Sequence, residues 1–282
     1  MKTVLEILTL SAEYLQQRNV QSARRQAEEL ISAALQIARV QLYMEFDRPL
    51  TEVELNLIRA RLVRRGKGEP LQYIQGEVEF LDCLIKVSPA VLIPRQETEL
   101  LVDRIIKSLA TQNLAGKILW DVCCGSGCIG IALKKKFPEL DVVLSDISPD
   151  ALRVAKENAQ INEVSVSFEE GDLLAPFVGK KTNFLVCNPP YVTEEEYTQL
   201  DVEVAKYEPR TALVSGETGL EFYQRLANGL AGVLESNGNA WFEIGKGQGH
   251  AVEQMFTGAP WVRSQSERDW SGHDRFFFLE KE

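Results

Sequence analysis

Short apolar runs alternate with amphipathic segments from residue 97 onward, and this pattern limits the fold more than any other feature. Strand character covers 117–122, 141–146, 164–168, 183–187 and 239–244. Helical patterns cover 97–109, 127–137, 149–162, 219–234 and 248–256. Such alternation predicts an α/β fold whose mainly parallel sheet has helices on both faces. Two last strands with a short connection, 262–268 and 275–280, predict an antiparallel hairpin at the sheet edge.

The residues before this region have a different pattern. From residue 3 to about residue 65, apolar side chains recur at spacings of three and four, and the first glycine is Gly66. Thr51 and Glu54 have the spacing of a helix capping box. We therefore predict a small N-terminal helical bundle over 1–69. A β-hairpin linker is predicted over 70–94, and the α/β domain over 95–282.

Charge argues against nucleic acid as a direct partner. The formal net charge is −10, with 41 acidic and 31 basic side chains, whereas proteins that bind a phosphate backbone usually carry a positive charge. One local basic run is the exception, and it consists of Arg59, Arg61, Arg64, Arg65 and Lys67. It is interpreted either as a solvated helix face or as a contact patch for an acidic or RNA-containing partner.

Other features of composition bear on location and metal binding. No apolar run is long enough to cross a bilayer, and the first residues lack the pattern of a signal peptide. We therefore expect a cytoplasmic protein without a membrane partner. Five cysteines, an odd number, argue against a disulfide framework. The two histidines lie far from the cysteines in sequence, so no metal site is expected.

A glycine loop follows the first strand of the α/β region. Gly125 and Gly127 lie between strand 117–122 and helix 127–137. Glycines there allow a tight turn and let a ligand approach the backbone. Asp146 ends the next strand, where a carboxylate can accept both hydroxyls of a ribose. The loop therefore predicts a site for a cofactor that contains a nucleoside.

Two further acidic residues, Asp121 and Asp172, bear on which cofactor this is. Gly125 and Gly127, with Gly130, also fit the dinucleotide pattern, so an NAD-dependent oxidoreductase is one alternative. Asp121, however, stands just before the loop, where it would repel a diphosphate and attract a cation. S-adenosylmethionine carries two cationic groups and no phosphate. Asp172, after the third strand, would lie within reach of its adenine. The alternative for Asp121 is that it caps the loop.

The sequence Asn188-Pro189-Pro190-Tyr191 follows strand 183–187 directly. Open α/β sheets bind their ligands at the carboxyl ends of strands, and two prolines make this segment stiff. The side-chain oxygen of Asn188 and the carbonyl of Pro189 can together accept both N–H groups of a planar NH2. Tyr191 offers a face on which a flat group can stack. The alternative is a turn without a function.

Such a corner suits methyl transfer to nitrogen. The lone pair of an amide or aryl amine is delocalised, and two acceptors on its hydrogens stabilise the positive charge that develops as nitrogen attacks a methyl group. Asn188, Pro189 and Tyr191 are therefore the candidate catalytic residues. An adenine methyltransferase acting on a flipped base, or a protein that binds the cofactor without catalysis, stays possible at this point.

At these residues the chain resembles the amino-methyltransferases of the Rossmann type, which share an NPPY-like motif. Further segments resemble the bacterial peptide chain release factor glutamine methyltransferase (PrmC/HemK) family, and they are 70–80, 91–102, 207–226, 242–249 and 271–276. The resemblance covers nearly the whole chain and is weakest in the first helices. It implies a Rossmann-like class I methyltransferase fold for 95–282 and an N-terminal domain that helps to bind a release factor.

The resemblance also implies an activity. It is methyl transfer from S-adenosyl-L-methionine, giving S-adenosyl-L-homocysteine, to the side-chain amide of the glutamine in the GGQ motif of class-one release factors. The implied roles are that Gly125 and Gly127 line the cofactor, Asp146 binds its ribose and Asp172 lies near adenine. Asn188, which also faces the cofactor, would hold the glutamine with Pro189, Pro190 and Tyr191.

One position departs from the family pattern. The family usually has a proline after the arginine of "IPRPETE", and this chain has Gln96 there. Arg95 and Glu97 are retained, and we expect both to contact the substrate. The alternative for Arg95 is a surface salt bridge.

Overall fold

A computed structural model describes residues 2–282. The chain divides into two compact units, which are described separately. The N-terminal unit is Met1–Gly76 together with Asp201–Tyr207, and the second unit is Glu77–Leu200 together with Glu208–Glu282. A segment from late in the chain therefore belongs to the N-terminal unit, which the sequence did not indicate.

The N-terminal unit is helical. Its helices are α1 (Val4–Gln16), α2 (Ala23–Leu35), α3 (Arg39–Met44), α4 (Glu52–Gly66) and α5 (Leu71–Gln75), joined by the late helix Val202–Tyr207. The capping box expected at Thr51 is present, because Thr51 Oγ1 accepts from the Glu54 amide at 3.3 Å and Glu54 Oε2 accepts from the Thr51 amide at 2.8 Å. Apolar faces of these helices meet in a core that includes Leu8, Leu30 and Ile58.

The basic run on α4 is largely engaged inside this unit. Arg65 is buried, donates to Gln26 Oε1 at 2.6 Å and lies 2.8 Å from Glu203 Oε2 in the late helix. Arg64 forms an ion pair with Glu69 at 2.5 Å. The run is thus neither a uniformly solvated face nor a continuous patch of free cations, because two of its members hold the unit together.

The second unit begins with a hairpin of β1 (Glu77–Phe80) and β2 (Cys83–Lys86). It then alternates strands and helices through α6 (Gln96–Leu109), β3 (Ile118–Val122), α7 (Cys128–Lys136), β4 (Asp141–Asp146), α8 (Pro149–Ile161), β5 (Ser167–Glu170) and β6 (Thr182–Cys187). A short pair, β7 (Val192–Thr193) and β8 (Val214–Gly216), flanks α9 (Glu194–Tyr197) and the late helix, which is α10. The last elements are α11 (Glu221–Val233), β9 (Leu234–Glu243), α12 (Gly249–Met255), β10 (Trp261–Arg268) and β11 (Asp274–Lys281).

The main sheet has seven strands in the order β10-β11-β9-β6-β3-β4-β5. Strands β5, β4, β3, β6 and β9 are parallel, whereas β11 and β10 are antiparallel to their neighbours. The expected mainly parallel sheet with an antiparallel edge hairpin is confirmed. The third predicted strand, 164–168, is shifted to Ser167–Glu170. No helix of the described residues is both long and apolar enough to span a membrane.

The hairpin that the sequence placed in a linker is fixed to the second unit. Asn158 on α8 exchanges hydrogen bonds with the backbone of Lys86, at 2.7 and 3.0 Å. Asn162 does the same with Leu84, at 3.1 and 2.8 Å. These two side chains act as extra backbone partners for β2, so the hairpin lies against α8. Of the predicted 70–94 linker, helix α5 belongs to the N-terminal unit.

The sheet order places the ligand crevice. After β5 the chain returns to pair β6 with β3, so the strand order reverses between these two central strands. In open α/β sheets ligands bind outside the carboxyl ends of strands at such a reversal. Val122 and Cys187 are paired at the ends of β3 and β6. The glycine loop and the Asn188 segment therefore start side by side.

Candidate active site

A pocket of about 340 Å³ opens at the carboxyl ends of β3, β4 and β6. Its volume lies at the lower end of the range usual for sites of small molecules. Five residues that the sequence singled out line it, namely Gly125, Asp146, Asp172, Asn188 and Pro190. Residues far apart in sequence are thus brought to one crevice by the parallel topology.

The two glycines of the loop, Gly125 and Gly127, have different surroundings. Gly125 has a φ of +53°, and a Cβ there would meet nothing within 4 Å, so its backbone is open to a ligand. Gly127, with a φ of +77°, does not line the pocket. A Cβ at Gly127 would lie 3.0 Å from Leu144 and 3.1 Å from Ala155, so glycine is needed there for packing against β4 and α8. Of these two glycines only Gly125 lines the pocket, and the cofactor contacts of both stay predictions.

Asp146 holds the loop and faces the pocket. Its Oδ2 accepts from the Gly125 amide at 2.9 Å, and its Oδ1 accepts from the Ser148 amide at 2.9 Å. Burial raises the pKa of this carboxyl, while the two backbone donors lower it in part. A carboxylate oxygen can accept more than one hydrogen bond. Asp146 therefore keeps acceptor capacity for the hydroxyls of a ribose.

Asp121 does not reach the pocket. It is fully buried beneath the loop, and its Oδ2 accepts from the Gly130 amide in the first turn of α7 at 2.8 Å. Burial raises the pKa of its carboxyl to about 7. Its Oδ1 is buried and has no hydrogen-bond partner among the described residues. The predicted direct contact with the cofactor is replaced by the capping alternative, because the side chain points under α7.

Asp172 is paired with a residue that the sequence analysis missed. Arg225 on α11 lies 2.6 Å from Asp172 Oδ2, and its guanidinium lies 5.5 Å from the ring of Phe222. All three residues line the pocket. Phe222 and Arg225 are three apart on one helix, which places them on the same face. That spacing was visible in the sequence, but the side of the sheet that α11 covers was not.

The corner after β6 is largely buried. Pro189 and Pro190 are both buried, and Asn188 is half-buried at the pocket. Proline at 190 fixes φ and removes one backbone donor, so the segment presents oxygen acceptors. Asn188 and Pro190 line the pocket, whereas Pro189 does not contribute a surface to it.

Tyr191 does not line the pocket. Its hydroxyl donates to Glu243 Oε1 at 3.3 Å and accepts from Arg275 Nη1 at 3.4 Å. Thr98 Oγ1 donates to Glu243 Oε2 at 2.6 Å. Burial is the largest cause of the raised pKa of both Tyr191 and Glu243. The stacking role expected of Tyr191 stays a prediction, since its hydroxyl is engaged in this buried network.

Family models and curated relatives of this chain point to the same protein family. A model described as the methyltransferase small domain matches residues 96–208, and one described as the PrmC N-terminal domain matches residues 6–76. The release factor glutamine methyltransferase of Chlamydia trachomatis serovar L2 is 43% identical over 98% of this chain and 94% of its own length. That of Geobacter sulfurreducens is 38% identical over 97% of this chain and 95% of its own length.

The chain belongs to the release factor glutamine methyltransferase family.

The fold is shared more widely than the family. A T. thermophilus 16S rRNA N2 G1207 methyltransferase, solved with AdoMet and guanosine, aligns with a TM-score of 0.52 at 13% identity. The alignment covers 73% of this chain and 50% of the other. Such a likeness shows the Rossmann-like methyltransferase architecture and nothing about the acceptor.

The segment around Arg95 is held by a residue that is distant in sequence, Glu208. Arg95 pairs with Glu208, whose side chain is almost completely buried and whose Oε2 accepts from the Ile93 amide at 3.1 Å. The salt bridge that was the alternative for Arg95 is present, and its carboxylate partner is buried. Glu97 is half-buried and does not line the pocket, whereas its neighbour Thr98 does. Contacts of Arg95 and Glu97 with the substrate stay predictions.

Proposed function

We propose that this protein transfers a methyl group from S-adenosyl-L-methionine to the side-chain amide nitrogen of a release factor glutamine. The glutamine is that of the GGQ motif in class-one peptide chain release factors, and the other product is S-adenosyl-L-homocysteine. The observation that carries the proposal is the stiff acceptor corner at Asn188–Pro190 beside a pocket formed by Gly125 and Asp146. Membership of the family supports the choice of acceptor.

The pocket suits the cofactor in shape and charge. Gly125 leaves room for a ligand against the backbone, and Asp146 offers carboxylate oxygens for ribose hydroxyls. Asp172 and Arg225 would flank the adenine end, and Phe222 would supply an apolar wall. When bound, the cofactor supplies a methyl group made electrophilic by a sulfonium. The negative charge of Asp146, and of Asp121 when ionised beneath the loop, favours a cation in this crevice.

The corner after β6 would act on the glutamine. Asn188 Oδ1 and the Pro189 carbonyl accept the two amide hydrogens, which directs the nitrogen and stabilises the positive charge that develops on it. In the transfer a carbon–nitrogen bond would form as the carbon–sulfur bond of the cofactor broke, and the nitrogen would release a proton to water. Holding the reacting atoms in line can contribute about 7–11 kcal/mol of barrier lowering. This positioning accounts for catalysis without a strong general base.

The remaining roles follow from the same proposal. The helical unit, matched by the family's N-terminal domain model, helps to bind the release factor. Arg95 and Glu97 contact the substrate around the glutamine. The reaction takes place in the cytoplasm, where release factors meet the ribosome.

Incubation with tritiated S-adenosylmethionine tests the proposal. The acceptors are a class-one release factor, the same factor with its GGQ glutamine replaced by alanine, and DNA. We expect label only in the unaltered factor, and mass spectrometry should locate one methyl group on that glutamine. Label in DNA alone would contradict the proposal and favour an adenine methyltransferase. Titration with NADH and with S-adenosylhomocysteine is the companion measurement, and tight binding is expected only for the latter.

A further inference from the structure

One side chain outside the pocket joins the acceptor corner to the rest of the unit. Gln248 Nε2 donates to the Tyr191 carbonyl at 3.0 Å and to the Gly219 carbonyl at 3.2 Å. Its Oε1 accepts from the Gly245 amide at 2.8 Å. Both hydrogens of this amide are therefore used, and one residue ties the end of the corner to the start of α11 and to the loop after β9.

The geometry of the corner makes this link effective. The backbone of Pro190 and that of Tyr191 separate the Pro189 carbonyl from the Tyr191 carbonyl, and the φ of Pro190 is fixed by its ring. Proline at 190 also restricts the backbone of Pro189. The ring removes one of the torsions between the two carbonyls, so fixing the Tyr191 carbonyl narrows the directions open to the Pro189 carbonyl. The next amide, of Val192, donates to the Leu213 carbonyl at 2.9 Å, which fixes the chain just beyond.

The approach of Gln248 to the corner is close enough to require a glycine. Gly219 has a φ of +75°. A Cβ on it would lie 2.6 Å from Gln248 Nε2 and 2.7 Å from the Tyr191 carbonyl oxygen. Such distances are well inside van der Waals contact, so any larger residue would displace the amide or the carbonyl. The three groups are packed as one unit.

The side chain of Tyr191 is held independently. Its hydroxyl lies between Glu243 and Arg275, and Glu243 is held in turn by Thr98. Ionisable groups in such a buried place cost stability unless they are paired and hydrogen-bonded. The residue that ends the corner is thus anchored at its carbonyl by Gln248 and at its hydroxyl by the buried network.

We infer that Gln248 is a positioning residue for methyl transfer, which holds the Tyr191 carbonyl and thereby orients the Asn188 and Pro189 oxygens toward the substrate amide. The inference rests on the proposed function and deepens it. Gln248 touches neither substrate nor cofactor in this account. We expect replacement of Gln248 to slow the chemical step more than it weakens the binding of either ligand. The residues that contact the ligands would all be retained, but the Asn188 and Pro189 oxygens would no longer be oriented toward the substrate amide.

The test compares Gln248→Met with Gln254→Met. Gln254 is exposed on α12, so the second variant makes the same substitution without touching the corner. We expect kcat on the release factor to fall by about 10- to 100-fold in Gln248→Met, which is the cost of misplacing reacting groups by about an ångström. KM and the affinity for S-adenosylhomocysteine should stay near wild type. Gln254→Met should behave as wild type in all three measurements.

A merely structural role gives a different result. It would reduce the fraction of active enzyme, so kcat and the number of S-adenosylhomocysteine sites would fall together. Gln248→Glu is the second variant, since it keeps the shape and the acceptor for Gly245 but replaces the shared donor group with a carboxylate. If Gln248→Met does not bind S-adenosylhomocysteine, Gln248→Glu decides in its place. Failure of both to bind, or wild-type kcat in a variant that binds, overturns the inference.

The wild-type enzyme separates this inference from the proposed function. If wild type does not methylate the release factor, the proposed function fails and the role of Gln248 fails with it. If wild type is active and Gln248→Met retains its kcat, only the positioning role is lost.

Discussion

The glycine loop and the proline corner begin at paired residues of neighbouring strands, yet they are built in opposite ways. The loop after β3 contains two glycines with positive φ, Gly125 and Gly127, and the Gly125 amide is held by the carboxylate of Asp146. The corner after β6 is made of prolines, and it exposes acceptors. The crevice therefore offers a carboxylate, Asp146, on the side of the loop and the neutral residues Asn188 and Pro190 on the side of the corner.

The anchors of the two segments differ in the same sense. Carboxylates hold the loop, since Asp146 accepts from Gly125 and Asp121 accepts from Gly130. An amide that donates holds the corner, since Gln248 donates to the Tyr191 carbonyl. In each case a side chain of the opposite hydrogen-bonding type fixes the backbone. Each motif therefore depends on a partner that the motif itself does not contain.

The strongest test of the acceptor corner is Asn188→Ala. It removes one of the two oxygens proposed to hold the glutamine amide, and loss of one such group typically costs about 100- to 1000-fold in kcat. Affinity for S-adenosylhomocysteine should change far less. Asn188→Asp keeps an acceptor oxygen and should retain more activity than alanine. Equal rates for wild type and Asn188→Ala would remove Asn188 from the mechanism.

Gly219→Ala tests whether the corner depends on close packing from behind. The added methyl group would press on the Gln248 amide and on the Tyr191 carbonyl, and we expect kcat to fall by about 10- to 100-fold. Gly258→Ala is the matched control, because Gly258 has the same φ of +75° but nothing within 4 Å of its Cβ position. Both variants carry the same backbone strain. Similar losses in both would show that strain, and not contact, is responsible.

Gly130→Ala makes the corresponding test at the glycine loop. A Cβ at Gly130 would lie 2.3 Å from Leu144 Cδ2 and 3.0 Å from Asp121 Oδ2. Overpacking of this kind typically costs about 1–3 kcal/mol of the free energy of unfolding, and α7 should move away from β4. Weaker binding of S-adenosylhomocysteine should accompany the loss, which urea denaturation and titration would measure.

The control for Gly130→Ala is Gly232→Ala, on an exposed face of α11. A Cβ there would meet nothing within 4 Å. Alanine is the better helix former by about 1 kcal/mol, so this variant should be slightly more stable than wild type. A stabilised Gly130→Ala would mean that the loop tolerates displacement of α7.

The sequence was sufficient for those parts of the site that depend on topology. Strands β3, β4 and β6 were placed within one residue, because buried parallel strands are nearly continuous apolar runs. Their carboxyl ends then located Gly125, Asp146 and Asn188. The edge strand β5 was shifted, since its residues, "SFEE", are mostly polar and give a weak pattern.

Two kinds of feature could not be predicted from the sequence. They are the directions in which side chains point and the contacts between segments that are distant in sequence. The position of Asp121 at the end of β3 predicts that it lies in the crevice. The sequence does not show on which side of the sheet α7 lies, so it does not reveal that α7 covers this side chain. Gln248 and Glu243 lie in segments that the family resemblance included, yet no spacing rule connects them with Tyr191. Helix α10 joins the N-terminal unit through the pair of Arg65 and Glu203, a contact over a long stretch of chain that no local pattern reveals.

Asp121→Asn is expected to have the mildest effect, and it concerns pH. Because burial raises the pKa of Asp121 from 3.8 to about 7, the folded protein keeps a proton that the unfolded chain releases. The stability linked to this proton is complete below the unfolded pKa and is lost as pH rises through the folded value. Asparagine stays neutral and can still accept from Gly130. The fall in the free energy of unfolding between about pH 5 and about pH 8 should therefore be smaller in Asp121→Asn than in wild type.

Urea denaturation at the two pH values measures this difference, with Asp103→Asn on the exposed face of α6 as the matched control. That variant removes an exposed charge and should keep the wild-type pH dependence. If Asp121→Asn kept it as well, the carboxylate beneath the loop would be ionised throughout and stabilised by something other than the Gly130 amide. The loop would then be held by a permanent charge, and the contrast with the neutral amide behind the proline corner would be greater.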